Sequence, residues 1–174
     1  ASGIIALQDQ DSEGGLQGGP DIEWYSSEHN LDAYAFFNML YETTKKNKYL
    51  KARDKILNWL VQHTYDRVDI PIKSGKGDST IATDTYAWSI AAIGPEKLLS
   101  LEMDPDKIME FAEGNCSVEV SYGRPEGQSV KIKGFDFAPK KHLARGGIVS
   151  SEWTAQMVIS FKILADYYYK KKMP

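Results

Sequence analysis

The sequence predicts a mainly α-helical fold: an incomplete (α/α) toroid of helical hairpins with a small β-hairpin insert. Three observations predict it. Segments that are apolar nearly all round alternate with one-sided amphipathic ones. Helical pairs recur at intervals of roughly 40 to 60 residues, the spacing of toroids and solenoids. A single stretch, 115–135, changes to period-two alternation.

The elements follow in order within one domain, 1–174. Residues 1–25 form a Gly-rich loop, "LQDQDSEGGLQGGPDIEWY" preceded by "ASGIIALQ", which reads as the end of a helix. From about Glu28 to Thr43 the pattern is helical. Leu31, Tyr34, Phe36, Phe37, Leu40 and Tyr41 surround it with apolar side chains, so this helix is buried on several sides. Ser27 is placed to cap its start, and Glu28 suits the positive end of the helix dipole. "NKYLKARDKILNWLVQHTY" is one-sided: Tyr49, Ile56, Leu57, Leu60 and His63 make one stripe. The short turn "TKKNK" joins the two as an αα-hairpin, with the first helix inner and the second outer.

The pattern then repeats. "TDTYAWSIAAIG" reads as an inner helix and "DPDKIMEFAEG" as an outer one, with Asp104 as cap and Pro105 at the first position. "CSVEVSYG" and "QSVKIKGF", separated by "RPEG", alternate as a β-hairpin. The last helix runs from about Ser151 to Lys170. Its broad apolar face of Trp153, Met157, Val158, Phe161, Leu164 and Tyr168 has no following segment to cover it.

Composition narrows the function classes. The chain has 174 residues, 42% hydrophobic and 26% charged, enough for a domain with a real core. A net charge of -3 gives no footprint for nucleic acid. No apolar run approaches a membrane span. Cys116 is alone, so no intrachain disulfide and no Cys-based metal site is expected. No cofactor is implied. "DQDSEG" begins like a calcium loop, but its twelfth position is Pro20 rather than Glu. "KSGKGDST" lacks the spacing of a phosphate loop. There is no initiator Met, which reads as a processed chain or a piece of a longer one. The compartment stays open, with periplasm and cell exterior among the options.

One motif repeats where chemistry is expected. Ser-Ser-Glu-aromatic occurs as "WYSSEHNLDAYAFF" from Trp24 and as "IVSSEWTAQMVISF" from Ile148. "ATDTYAWSIAAIG" from Ala82 echoes the Asp-Ala-Tyr-Ala-Phe portion of the first. With the flanking "GGLQGGPDIE" and "GGI", these helix starts resemble those of bacterial (α/α)-toroid proteins of the six-hairpin glycosidase type. A complete toroid of that type is about double this length, so the chain resembles its C-terminal half. The Gly-rich opening bears a fainter likeness to the repeats of terpene-cyclase toroids, whose acidic catalytic runs are missing here.

The resemblance implies an inner ring of helices whose starts face one cavity, and a carbohydrate ligand. Glycoside hydrolysis needs two carboxyl groups flanking the bond. Glu28, Asp84 and Glu152 are the catalytic candidates, Glu28 and Glu152 being the sharpest pair. Trp24, Tyr25, His29, Asp32, Tyr86 and Trp153 are the substrate-binding candidates: sugar rings stack on aromatic faces, and their hydroxyls go to polar groups. Trp24 and Tyr25, in a polar loop, are favoured for the ligand; Tyr34 and Trp88 are favoured for the core. The bland alternatives are first-turn acids that satisfy free N–H groups, aromatics that fill a core, and a histidine with a structural role. A non-catalytic carbohydrate-binding or protein-interaction scaffold is the rival function. Two hairpins cannot close a ring, so self-association or a second chain completing the toroid is expected.

Overall fold

The computed structural model describes residues 1–172. The elements in chain order are α1 (Ser2–Gln8), α2 (Ser27–Thr44), α3 (Asn47–His63), α4 (Thr83–Ile93), α5 (Pro95–Ser100), α6 (Pro105–Cys116), β1 (Ser117–Gly123), β2 (Ser129–Phe135) and α7 (Ser151–Lys171). The fold is mainly helical with one two-stranded antiparallel sheet.

α4 lies between α2 and α7, and α3 and α6 pack against α2 and α4 respectively. The central place of α4 follows from its composition. Thr83, Asp84, Thr85, Tyr86, Ala87, Ser89, Ile90 and Ile93 are all buried, leaving almost no solvent face. α3 is one-sided, as its pattern predicts: Ile56, Trp59 and Leu60 are fully buried, while Lys48, Lys51, Lys55 and Asn58 are exposed. Each large apolar side chain buried this way is worth about 1.5–3 kcal/mol. One hydrophobic core joins α2, α3, α4, α6 and α7, with Phe37, Trp59, Tyr86, Met109 and Met157 among its largest members.

Chain punctuation has local causes. α2 stops at Lys45, which takes a left-handed conformation (φ 52°) and donates its N–H to the Tyr41 carbonyl. Asp104 caps α6 by accepting from Asp106 N at 3.0 Å and Lys107 N at 3.4 Å, with Pro105 at the first helical position. The hairpin pairs Ser117 with Phe135 and Gly123 with Ser129. Its base is bound to the start of α7: Ser150 N donates to Phe135 O, and Phe135 N to Thr154 Oγ1.

Several expectations need correcting. The helix read at "ASGIIALQ" is present as Ser2–Gln8, so the loop is shorter than 1–25; Gln8 is buried, donating to the carbonyls of Gly14 and Ala52. Residues 115–116 end α6 rather than opening the hairpin. Short α5 is absent from the predicted elements. Ser26, not Ser27, caps α2; the Ser27 hydroxyl donates instead to the Lys73 carbonyl at 2.5 Å. The face of α7 is partly covered: Met157 and Leu164 are buried and Trp153 and Tyr168 pack on the core, whereas Val158 is 60% exposed. Among the described residues no helix is long and apolar enough to cross a membrane.

Candidate functional site

Three helix starts, α2, α4 and α7, are held by loops that bond across to one another. At α2, Asn30 is fully buried and clamps the Gly-rich loop. Its Oδ1 accepts from Leu16 N (2.8 Å), and its Nδ2 donates to Leu16 O (3.0 Å) and Ser26 O (2.8 Å). Gly75 passes so close to this loop that a Cβ there would lie 2.1 Å from the Tyr25 carbonyl oxygen. At α4, Thr83 is tied to the chain after β2: its N–H donates to Phe137 O (2.8 Å) and its hydroxyl to Asp136 O (2.5 Å). Asp136 is a wholly buried carboxylate that accepts from Phe137 N, Arg145 Nη2 and Ile148 N at 2.7, 2.5 and 2.8 Å. It thereby fixes the segment that leads into α7.

Glu28, Asp84 and Glu152 each occupy the first turn of one of these helices. Glu28 and Asp84 line one small depression of about 150 Å³, together with Ser26, Ser74, Asp78, Ala82, Thr85 and Phe137. Burial raises the Glu28 carboxyl above its ordinary range; repulsion from Asp84 and Asp32 adds to this, His29 opposes it, and Glu152 contributes in the same upward sense. Asp84 is also raised, first by burial. Thr85 works against the rise, donating to Asp84 Oδ1 from its N–H (2.6 Å) and hydroxyl (3.2 Å), while Glu152 and Asp32 reinforce it. Asp32 is raised by burial and eased by His29. A helix start by itself favours an ionised carboxylate, by about 0.3–1 kcal/mol. Burial and the crowding of like charges act in the opposite sense and raise the Glu28 and Asp84 carboxyls.

The structure therefore brings Glu28, His29, Asp32, Asp84 and Glu152 into one electrostatic neighbourhood. Glu152 is exposed and does not line the depression, so the two carboxylates that share it are Glu28 and Asp84. Asp84 is inside the helix rather than at its cap, which is Ala82. Trp24 is 55% exposed. Its ring lies on Gly18, where a Cβ would come within 2.4 Å of it, and its centroid is 5.5 Å from that of His29. Tyr25 turns inward, its ring stacked 5.4 Å from buried Trp59. Trp153 is half-buried against Phe137 at 5.2 Å.

Tyr86 corrects an expectation. Proposed for the ligand, it is wholly buried and packs on Phe111 at 5.5 Å. Its position faces the α6 side of α4, so its ring fills the core and cannot reach a ligand. Tyr34 is buried and Trp88 packs on the core, where the sequence places them.

Sequence reasoning missed Ser74, Asp78 and Phe137 as lining residues and Asp136 as the anchor beside them. The run "GFDF" was the available signal: an Asp between aromatics after a strand, where no periodicity explains it. Among the described residues, no group of three or more His, Cys, Asp or Glu side chains is arranged to hold a metal ion. Comparison of the chain with protein-family models, with curated proteins and with solved structures finds no match.

Proposed function

We propose that this chain is a glycosidase-like carbohydrate-processing domain, built as part of an (α/α) toroid. Glu28 and Asp84 would be its acid–base pair. The observation that carries the reading is that these two carboxyls line one depression, both raised, with Asp84 adding to the shift of Glu28. Two carboxyl groups with different environments are what glycosidic cleavage needs. The roles follow from their hydrogen bonds. Asp84 accepts two bonds from Thr85, which favour its ionised form. Glu28 is raised by burial and by the negative charges around it, which favour its protonated form.

In this reading Glu28 gives its proton to the leaving glycosidic oxygen as the C–O bond breaks. Asp84 either takes a proton from the water that attacks the anomeric carbon or attacks that carbon itself. Trp24, exposed and seated on Gly18 beside His29, offers a flat apolar face to a sugar ring. Glu152 and Asp32 supply negative potential that suits an oxocarbenium-like transition state. The convergence of three helix starts supports the toroid half of the proposal. The small volume of the depression favours the second reading, a non-catalytic carbohydrate-binding scaffold.

The test is a glycan-panel screen for binding and hydrolysis, with Glu28→Gln as the control. Hydrolysis should fall by about 10²- to 10⁴-fold in the variant while binding persists. Binding without hydrolysis in the parent protein would select the scaffold reading. Neither binding nor hydrolysis of any glycan would remove both.

A further inference from the structure

Three carboxylates line the depression, and the acid–base reading uses two of them, Glu28 and Asp84. Asp78 is left over. It is exposed, on the loop that leads into α4. Its one side-chain hydrogen bond among the described residues is local: Thr80 N donates to its Oδ1 at 2.9 Å. Three cations on the surrounding loops are turned on other acids. Lys73 Nζ lies 3.5 Å from Asp66 Oδ2, Lys76 pairs with Glu13, and Arg145 Nη2 is 2.5 Å from Asp136 Oδ1. The charges that act most on Glu28, Asp32 and Asp84 are other carboxylates and His29; no lysine or arginine is among them.

Hydrogen-bond donors are as scarce there as positive charge. Ser74 Oγ gives its hydrogen to Thr80 O at 2.7 Å. Thr85 spends its N–H and its hydroxyl on Asp84 Oδ1, at 2.6 and 3.2 Å. Asp84 is only 8% exposed, yet among the described residues nothing donates to its Oδ2. The depression thus offers a ligand acceptors and negative charge. The group that answers both is an ammonium, which carries three donors, no acceptor and a positive charge.

We propose, resting on the carbohydrate reading, that the glycan taken here is an amino sugar with a free amine, whose ammonium Asp78 receives. A uronic acid would bring a further acceptor-only anion into a ring of like charges. N-acetylation turns the ammonium into a neutral amide and removes the attraction. Asp78 sets specificity in this arrangement and takes no part in bond cleavage.

The experiment is titration calorimetry with oligomers of glucosamine, N-acetylglucosamine, glucose and glucuronate, matched in linkage and compared in several linkages. Asp78→Asn is the variant, because it keeps an oxygen for the Thr80 N–H and removes only the charge. Glucosamine oligomers should bind the parent protein ~10-fold or more tighter than matched glucose oligomers. That preference should shrink as salt is raised. Asp78→Asn should abolish most of it and leave affinity for glucose oligomers in place. Glucose or glucuronate oligomers that bind as tightly as glucosamine oligomers overturn the inference and leave the carbohydrate reading standing. A variant that weakens amino and neutral sugars alike shows that Asp78 only holds its loop, and one that alters neither shows that it touches no ammonium; both overturn the inference. Binding of no sugar class removes the carbohydrate reading and the inference with it.

Discussion

Asp84 carries the clearest conflict between stability and the proposed function. Its carboxyl is raised in the folded protein, chiefly by burial. An acid with a raised folded pKa binds more protons folded than unfolded, so its contribution to stability falls as pH rises above the ordinary carboxylate range. Asp84→Asn removes that charge while keeping an acceptor for Thr85. The variant should therefore be more stable than the parent at neutral pH, by on the order of 1 kcal/mol or about 2–4 °C in Tm for a chain of this size. Its stability should also decline less between pH 4 and 7, as thermal melts across that range would show. Trp24 makes the opposite case. It is exposed, so Trp24→Ala should cost about 1 kcal/mol or less in denaturant titrations, against about 3–5 kcal/mol for buried Trp59→Ala. Any affinity for glycans should fall in the first variant; unchanged glycan affinity would remove Trp24 from the site.

At the scale of elements, the segment between β2 and α7 shows what sequence can and cannot reveal. The strands, the long helices and the Asp104–Pro105 start of α6 are legible because each is a local pattern: alternation, helical period, or a cap followed by Pro. Asp136 is not legible, because its partners are Arg145 and Ile148, and only the folded loop brings them to it. Ser26 and Ser27 show the same limit at one residue's resolution. Both can cap a helix, and the choice is made by the Lys73 carbonyl, which takes the Ser27 hydroxyl. α5 is hidden for another reason: six residues after Gly94 are too few for a period to register. Asp136→Ala should cost about 2–4 kcal/mol, because the Phe137 and Ile148 N–H groups lose their acceptor, while Arg145 is half-exposed and keeps water. Hydrogen exchange should then quicken through residues 136–150 and the first turn of α7, and leave α3 unaffected. Uniform loss of protection across both regions would show that Asp136 supports the whole core instead.

At the scale of the molecule, the proposed site depends on α4 lying between α2 and α7, with the starts of all three helices joined through their loops. The repeated Ser-Ser-Glu made Glu28 and Glu152 the visible pair. Packing instead sets Glu28 and Asp84 in one depression and leaves Glu152 exposed and outside its lining. Tyr34 and Tyr86 look alike in sequence as well, each two residues after an Asp, and nothing local says which neighbours their rings will meet. The central claim is that Glu28 and Asp84 form one coupled acid–base unit contributed by two helices. Carboxyl-carbon NMR titration of Glu28, in the parent and in Asp84→Asn, tests it most directly. The account predicts that Glu28 titrates above the ordinary glutamate range in the parent and moves down when the Asp84 charge is removed. A Glu28 midpoint in the ordinary range, or one that Asp84→Asn leaves in place, would contradict it.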